Sequence, residues 1–121
     1  MALYCNYDTE FFSETKQKAK KQYVCCECGS PIFAGEPYWI STGKWEGVID
    51  TFKQHPWCRA ACTHFREFQG DCLPFGALME AWGEYAIDLR SKAVRQKYPK
   101  LRRYMAKVLI EQRRRERKIA S

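Results

Sequence analysis

Hydrophobic and polar positions change period three times along this chain. Residues 1–24 open with aromatics at Tyr4, Tyr7, Phe11 and Phe12 and turn basic between Lys16 and Lys21. Asp8 can cap a short helix over 9–21, with Phe11, Phe12, Thr15 and Ala19 on one side. From residue 25 to 62, glycines and prolines separate short β-leaning runs. Tyr38-Trp39-Ile40-Ser41 and Val48-Ile49-Asp50-Thr51-Phe52 predict two strands, and the short link over 42–47 makes them an antiparallel hairpin. Pro56 suits a first helical turn, where a missing N–H costs nothing, so a helix is predicted from there to about Phe68, ending at Gly70.

Beyond a turn at Asp71-Cys72-Leu73-Pro74, Leu78, Trp82, Tyr85 and Leu89 recur with helical spacing, flanked by Met79, Ala86 and Ala93. One helix is predicted over 75–97. Pro99 interrupts it, because the residue before a proline is pushed out of helical geometry. A last helix starts near Lys100 with Leu101, Tyr104, Met105, Val108 and Leu109 as its buried side. Past Ile110 no apolar position follows until Ile119, so the final turns are read as solvated or bound to a partner. The 121 residues predict one compact domain in three parts: 1–24, 25–70, and a C-terminal helical hairpin over 71–121. No run is long enough to span a bilayer. The first residues show no charged start followed by an apolar stretch, so no signal peptide is expected.

Charge sharpens the reading of the last helix. The chain carries a formal net charge of +7. Between Lys100 and Lys118 lie nine basic and two acidic residues, and the rest holds twelve of each, so the whole excess sits in one segment. Arg113, Arg114, Arg115, Arg117 and Lys118 form its densest part, with Arg102, Arg103 and Lys107 upstream. Dipole complementarity accounts for one or two cations at a helix end, not five in six positions. Phosphate contact with nucleic acid through counterion release is the leading expectation, and an acidic protein surface is the alternative. Arginine favours the first, because its guanidinium grips phosphate in two places.

Seven cysteines, odd in number and clustered at 25–28, argue against a disulfide framework and for a reducing, intracellular setting with metal ligands. The pattern is Cys25-x2-Cys28, twenty-six residues, then His55-x2-Cys58. Zinc takes four such sulfur and imidazole ligands in a tetrahedron. Gly29 allows the left-handed backbone of a tight turn after Cys28. His55 and Cys58 fall at a helix start, where exposed N–H groups favour a thiolate. A knuckle, a hairpin and a helix bearing the second ligand pair make a treble clef. The expected fold is therefore small α+β, with one structural zinc, because a clef of this size cannot fold on its core alone. Two alternatives stay open: Cys26 replacing Cys25, or Cys62 entering the site. A second site from Cys5, Cys62, His64 and Cys72 has irregular spacing.

This spacing, the Gly43-Lys44-Trp45 stretch and the Phe52-Lys53-Gln54-His55-x2-Cys58 ending resemble the poly(ADP-ribose) polymerase-type zinc finger over about residues 23–65. The resemblance implies Cys25, Cys28, His55 and Cys58 as ligands and binding to DNA ends, so DNA is expected before RNA. Trp45, near the hairpin tip between two glycines, is the candidate stacking or anchoring residue. No enzyme is expected, since four ligands close a zinc and no phosphate-binding glycine loop or nucleophile motif occurs. A nuclease with a hairpin histidine is the weak enzymatic alternative. A small interaction protein, such as a virus- or mobile-element-encoded inhibitor of a host complex, is the other class considered.

Overall fold

In the computed structural model, residues 9–45, 47–70, 73, 75–85 and 90–120 are described. Among the described residues, the elements in chain order are β1 Thr9–Lys18, β2 Tyr23–Val24, β3 Pro31–Ile32, β4 Pro37–Trp45, β5 Val48–Gln54, α1 Pro56–Gln69, α2 Leu78–Glu84, α3 Lys92–Lys97 and α4 Pro99–Ala120. The architecture is small α+β. Strands β1, β4 and β5 form an antiparallel sheet in that order, and β2 pairs with β3 in a two-stranded ribbon.

The helix expected over 9–21 is a strand. β1 pairs with β4 from Lys18↔Pro37 to Thr9↔Trp45. Its residues alternate, with Phe12, Glu14 and Lys16 on one face and Ser13, Thr15 and Gln17 on the other. Pairing with β4, which meets the backbone donors and acceptors of β1 along its length, outweighs a thin helical stripe. The expected hairpin is present with longer strands, and β5 pairs with β4 from Val48↔Trp45 to Gln54↔Trp39.

Helix α1 starts and stops where proline and glycine set it. Pro56 occupies its first turn, and Gly70 closes it at φ 73°, donating its N–H to the Arg66 carbonyl at 2.8 Å. Its inner face carries Cys58, Ala61, Cys62 and Phe65, all buried. Leu101, Met105 and Val108 of α4, together with Leu73, Leu78 and Ala81, join that core. Phe68 meets Phe65, Tyr85 and Tyr98 edge-on, sealing one end.

The single helix expected over 75–97 is interrupted: the described residues place helix at Leu78–Glu84 and Lys92–Lys97, with turns at Tyr85 and Arg90. α2 ends at Glu84, and α3 starts after Ser91, whose hydroxyl accepts the Val94 N–H at 3.2 Å. Ala86 and Leu89 lie outside the described residues. Helix α4 starts at Pro99 as the sequence indicates, and packs chiefly along α1 rather than against a long antiparallel neighbour.

Candidate metal centre and the cationic helix

The ribbon β2–β3 and the start of α1 place four side chains at one point. Within the knuckle, Gly29 donates to the Cys25 carbonyl at 3.0 Å and Cys25 to the Ser30 carbonyl at 3.1 Å. Gly29 sits at φ 75°, a left-handed conformation that lets the chain turn straight after Cys28. His55 is the extended residue preceding α1, and Cys58 lies one turn along.

The ligand atoms of Cys25, Cys28, His55 and Cys58 lie within 4.8 Å of one another, and all four residues are buried. A tetrahedral zinc with Zn–S bonds of ~2.3 Å sets its sulfurs about 3.8 Å apart, so the donor set and spacing fit one ion. The cluster uses Cys25 and not Cys26, whose thiol donates to Glu27 at 3.6 Å. Cys62 lies outside it, 4.0 Å from Gln54 Nε2. Cys5 and Cys72 fall outside the described residues.

The orientation of His55 is fixed from outside the cluster. Its Nδ1 lies 3.5 Å from Cys28 Sγ and 3.8 Å from Cys58 Sγ, while Nε2 donates to the Pro31 carbonyl at 2.9 Å. Nε2 is thus anchored outside the cluster and Nδ1 is aimed at the sulfurs, where it would give up its proton on binding a metal. Trp57 stacks on the ring at 4.6 Å.

Proton sharing within the cluster is uneven. Hydrogen bonds from Cys25 and Cys58 hold the Cys28 thiol far below its ordinary pKa despite burial, with His55 and Ser30 assisting. Cys58 is pushed far up, because it donates to Cys25 and Cys28 and is buried. Burial disfavours the His55 cation, yet hydrogen bonds to Cys25 and Cys28 outweigh it and raise His55 to about 9.

The residues that brace this cluster carry few sequence signals. Glu27, buried between the two knuckle cysteines, accepts from Gln54 Nε2 at 2.7 Å, Gly76 N at 3.0 Å and Leu78 N at 3.1 Å. It ties the knuckle to β5 and to the start of α2. Gln112 of α4 donates to the Cys28 carbonyl at 2.8 Å.

Arg115 requires a correction. Read as a partner-binding cation, it is buried at 7% exposure. Its guanidinium donates to Glu36 Oε2 at 2.7 Å, to Glu111 Oε1 at 3.1 Å and to the Pro31 carbonyl at 3.1 Å. That carbonyl is the one His55 also grips. Arg115 also lies 4.9 Å from the Trp57 ring centroid. Glu111 and Arg115 extend the stripe Leu101, Met105, Val108 along α4, so the buried face continues as an ion pair where the apolar residues stop. An i, i+4 Glu–Arg spacing was the available signal.

The other cations divide by environment. Arg114 and Lys107 pair with Glu111 at 3.0 and 3.6 Å, and Lys118 lies 5.2 Å over Phe33. Arg102, Arg103, Arg113 and Arg117 have no carboxylate within ion-pair reach among the described residues. At about 100° per residue, Arg103, Arg113 and Arg117 project from the side of α4 opposite its buried stripe, with half-buried Arg102 at the margin of that side. The side chain of Trp45 lies outside the described residues.

No protein-family model, no curated protein and no solved structure matches this chain. Among the described residues no helix is long and apolar enough to cross a membrane.

Proposed function

We propose that this chain is a non-enzymatic zinc-stabilised protein that binds nucleic acid, DNA before RNA, through the outward face of α4. In this reading Cys25, Cys28, His55 and Cys58 hold one zinc ion in a treble-clef arrangement, with β4–β5 as the hairpin between the ligand pairs. Four protein ligands leave the ion no open position, so it supplies folding energy rather than chemistry. The spacing likeness to the poly(ADP-ribose) polymerase-type finger agrees with this class.

The observation that carries the nucleic-acid reading is the row of exposed Arg103, Arg113 and Arg117, with half-buried Arg102 at its margin, none with an acidic partner among the described residues. Four guanidinium groups along one helix face suit successive phosphates. Fluorescence anisotropy with labelled single-stranded and duplex DNA at two salt concentrations tests it. Binding that weakens steeply with salt, and a shallower salt dependence when the four arginines become glutamine, is the expected result. Absent or salt-independent binding rejects it.

A second reading rests on a different feature. Pro56, Trp57, Ala60 and Tyr104 line an apolar groove between α1 and α4, rimmed by Arg103 and Lys107. Such a groove fits an apolar side chain flanked by acids on a protein partner, and would make this a small inhibitor or adaptor. Substitution of Ala60 by glutamate would then abolish a protein pull-down and leave DNA binding intact.

A further inference from the structure

The sheet has a second face that the α4 reading leaves unused. Its core-side face carries Glu14, Trp39, Phe52 and Gln54, with Phe52 stacked on Phe75 at 4.2 Å and Glu14 gripped by Arg59. The opposite face carries Thr15, Gln17, Tyr38, Ile40, Thr51 and Lys53, and none of its described positions is acidic. Where β1 leaves the sheet, Lys18, Lys20, Lys21 and Lys53 line an open pocket with half-buried Tyr23 and buried Tyr38 at its base. Lys53 lies 4.9 Å and Lys21 5.8 Å from the Tyr23 ring centroid, and Gln17 donates to the Tyr38 hydroxyl at 2.9 Å. Among the described residues, none of the four lysines has a carboxylate within ion-pair reach.

Four ammonium groups gathered around two phenol rings repel one another, and a bound polyanion relieves that repulsion. The turn over 33–36 lies between the pocket and the end of α4. Ala19, between the lysines, donates to the Glu36 carbonyl at 2.9 Å and accepts from Gly35 N at 2.8 Å. Arg115 grips Glu36 and Lys118 lies over Phe33, so the turn over 33–36 has the lysines on one side and the basic helix end on the other. A cationic track with contributions from both ends of the chain suits a linear phosphodiester better than a compact acidic patch.

We infer that the Lys18, Lys20, Lys21 and Lys53 pocket is a second phosphate-binding subsite, which receives the backbone of the same nucleic-acid strand as it passes from α4 around the 33–36 turn. This rests on the nucleic-acid reading above. The test compares the full chain, a K18Q/K20Q/K21Q/K53Q variant and an R113Q/R117Q variant. The probes are fluorescein-labelled oligo(dT) and a labelled duplex, between about 50 and about 200 mM salt. The lysine variant is expected to keep its metal content and melting temperature, because the lysines are at the surface. Its affinity should fall at least about tenfold at low salt. The slope of log K against log salt should shrink by about 3, at roughly 0.7–0.9 per lost phosphate contact. If the R113Q/R117Q variant weakens while the lysine variant binds like the wild type, the subsite is wrong and the α4 reading stands. If the wild type binds neither oligonucleotide, both readings fall.

Discussion

The knuckle cysteines occupy adjacent positions with opposite fates, decided by which way each side chain points. Cys25 and Cys28 face His55 and Cys58, while Cys26 points to Glu27. Cys28→Ser is expected to cost more than about 3 kcal/mol, a fall of more than about 10 °C in Tm by thermal melting. Cys26→Ser should change it by less than about 1 kcal/mol. Native mass spectrometry should show one zinc per chain, lost from the Cys28 variant and kept in the Cys26 variant. Because Cys58 and His55 hold their protons tightly, metal uptake must expel protons and should weaken as pH falls. A competition titration with a chelator at several pH values measures this.

Arg115 shows the same dependence on surroundings at a charged residue. Arg115→Met leaves Glu36 without its guanidinium and the buried Glu111 with only Arg114 and Lys107, an expected cost of about 3 kcal/mol by urea unfolding. Arg113→Gln, on the solvent face, should stay within about 0.5 kcal/mol. The Arg115 hydrogen bond holds Glu36 below its ordinary carboxylate range, and the Arg59 hydrogen bond does the same for Glu14. Carboxylates depressed in the folded state add stability that is complete above their unfolded pKa, near 4.5. That stability is lost as pH falls from there through the lower folded values. The urea midpoint should therefore drop with acidification below about pH 4.5, and less so in the Arg115→Met variant.

At the scale of elements, α4 joins tasks that its sequence suggests are separate. Leu101, Met105 and Val108 fill the core against α1. One to two turns later, Gln112 and Arg115 hold the Cys28 carbonyl and the Pro31 carbonyl that orients His55. The arginines on the far side face solvent. Truncating α4 would therefore damage the metal centre as well as remove surface cations, and only point substitutions separate the two effects. Helix α1 is held at the opposite side of the core by Phe65, fully buried against Phe68 and Tyr85. Phe65→Ala is expected to cost about 3–5 kcal/mol in an unfolding experiment, with the cavity adding to the lost transfer energy.

Over the whole molecule, the formal charge is a poor guide to what a partner meets. Part of the C-terminal excess is internal: Arg115 is spent on Glu36 and Glu111, and Lys107 and Arg114 share Glu111. Meanwhile lysines from the charge-balanced body converge at Tyr23. The salt dependence of binding should consequently exceed what the four α4 arginines supply, by the contribution of those lysines. Measuring it on the two multiple variants and on the wild type apportions that total between α4 and the sheet.

Local chemistry alone determined much of this chain. Two x2 ligand pairs, a glycine after the first and a proline after His55 dictate the cluster and the start of α1, because tight turns and helix termini depend on neighbours in sequence. Pro99 and Gly70 mark helix ends for the same reason. Tertiary structure decided the rest. β1 became a strand because β4 was there to satisfy its backbone, which no period within residues 9–18 could show unaided. The long helix expected over 75–97 is interrupted, with α2 ending at Glu84 and α3 capped by Ser91. Arg115 turned inward because Glu36, 79 positions earlier, lies across from it. Hydrogen bonds and ion pairs between distant segments are set by packing, so a charge count along the chain cannot tell an internal clamp from a surface cation.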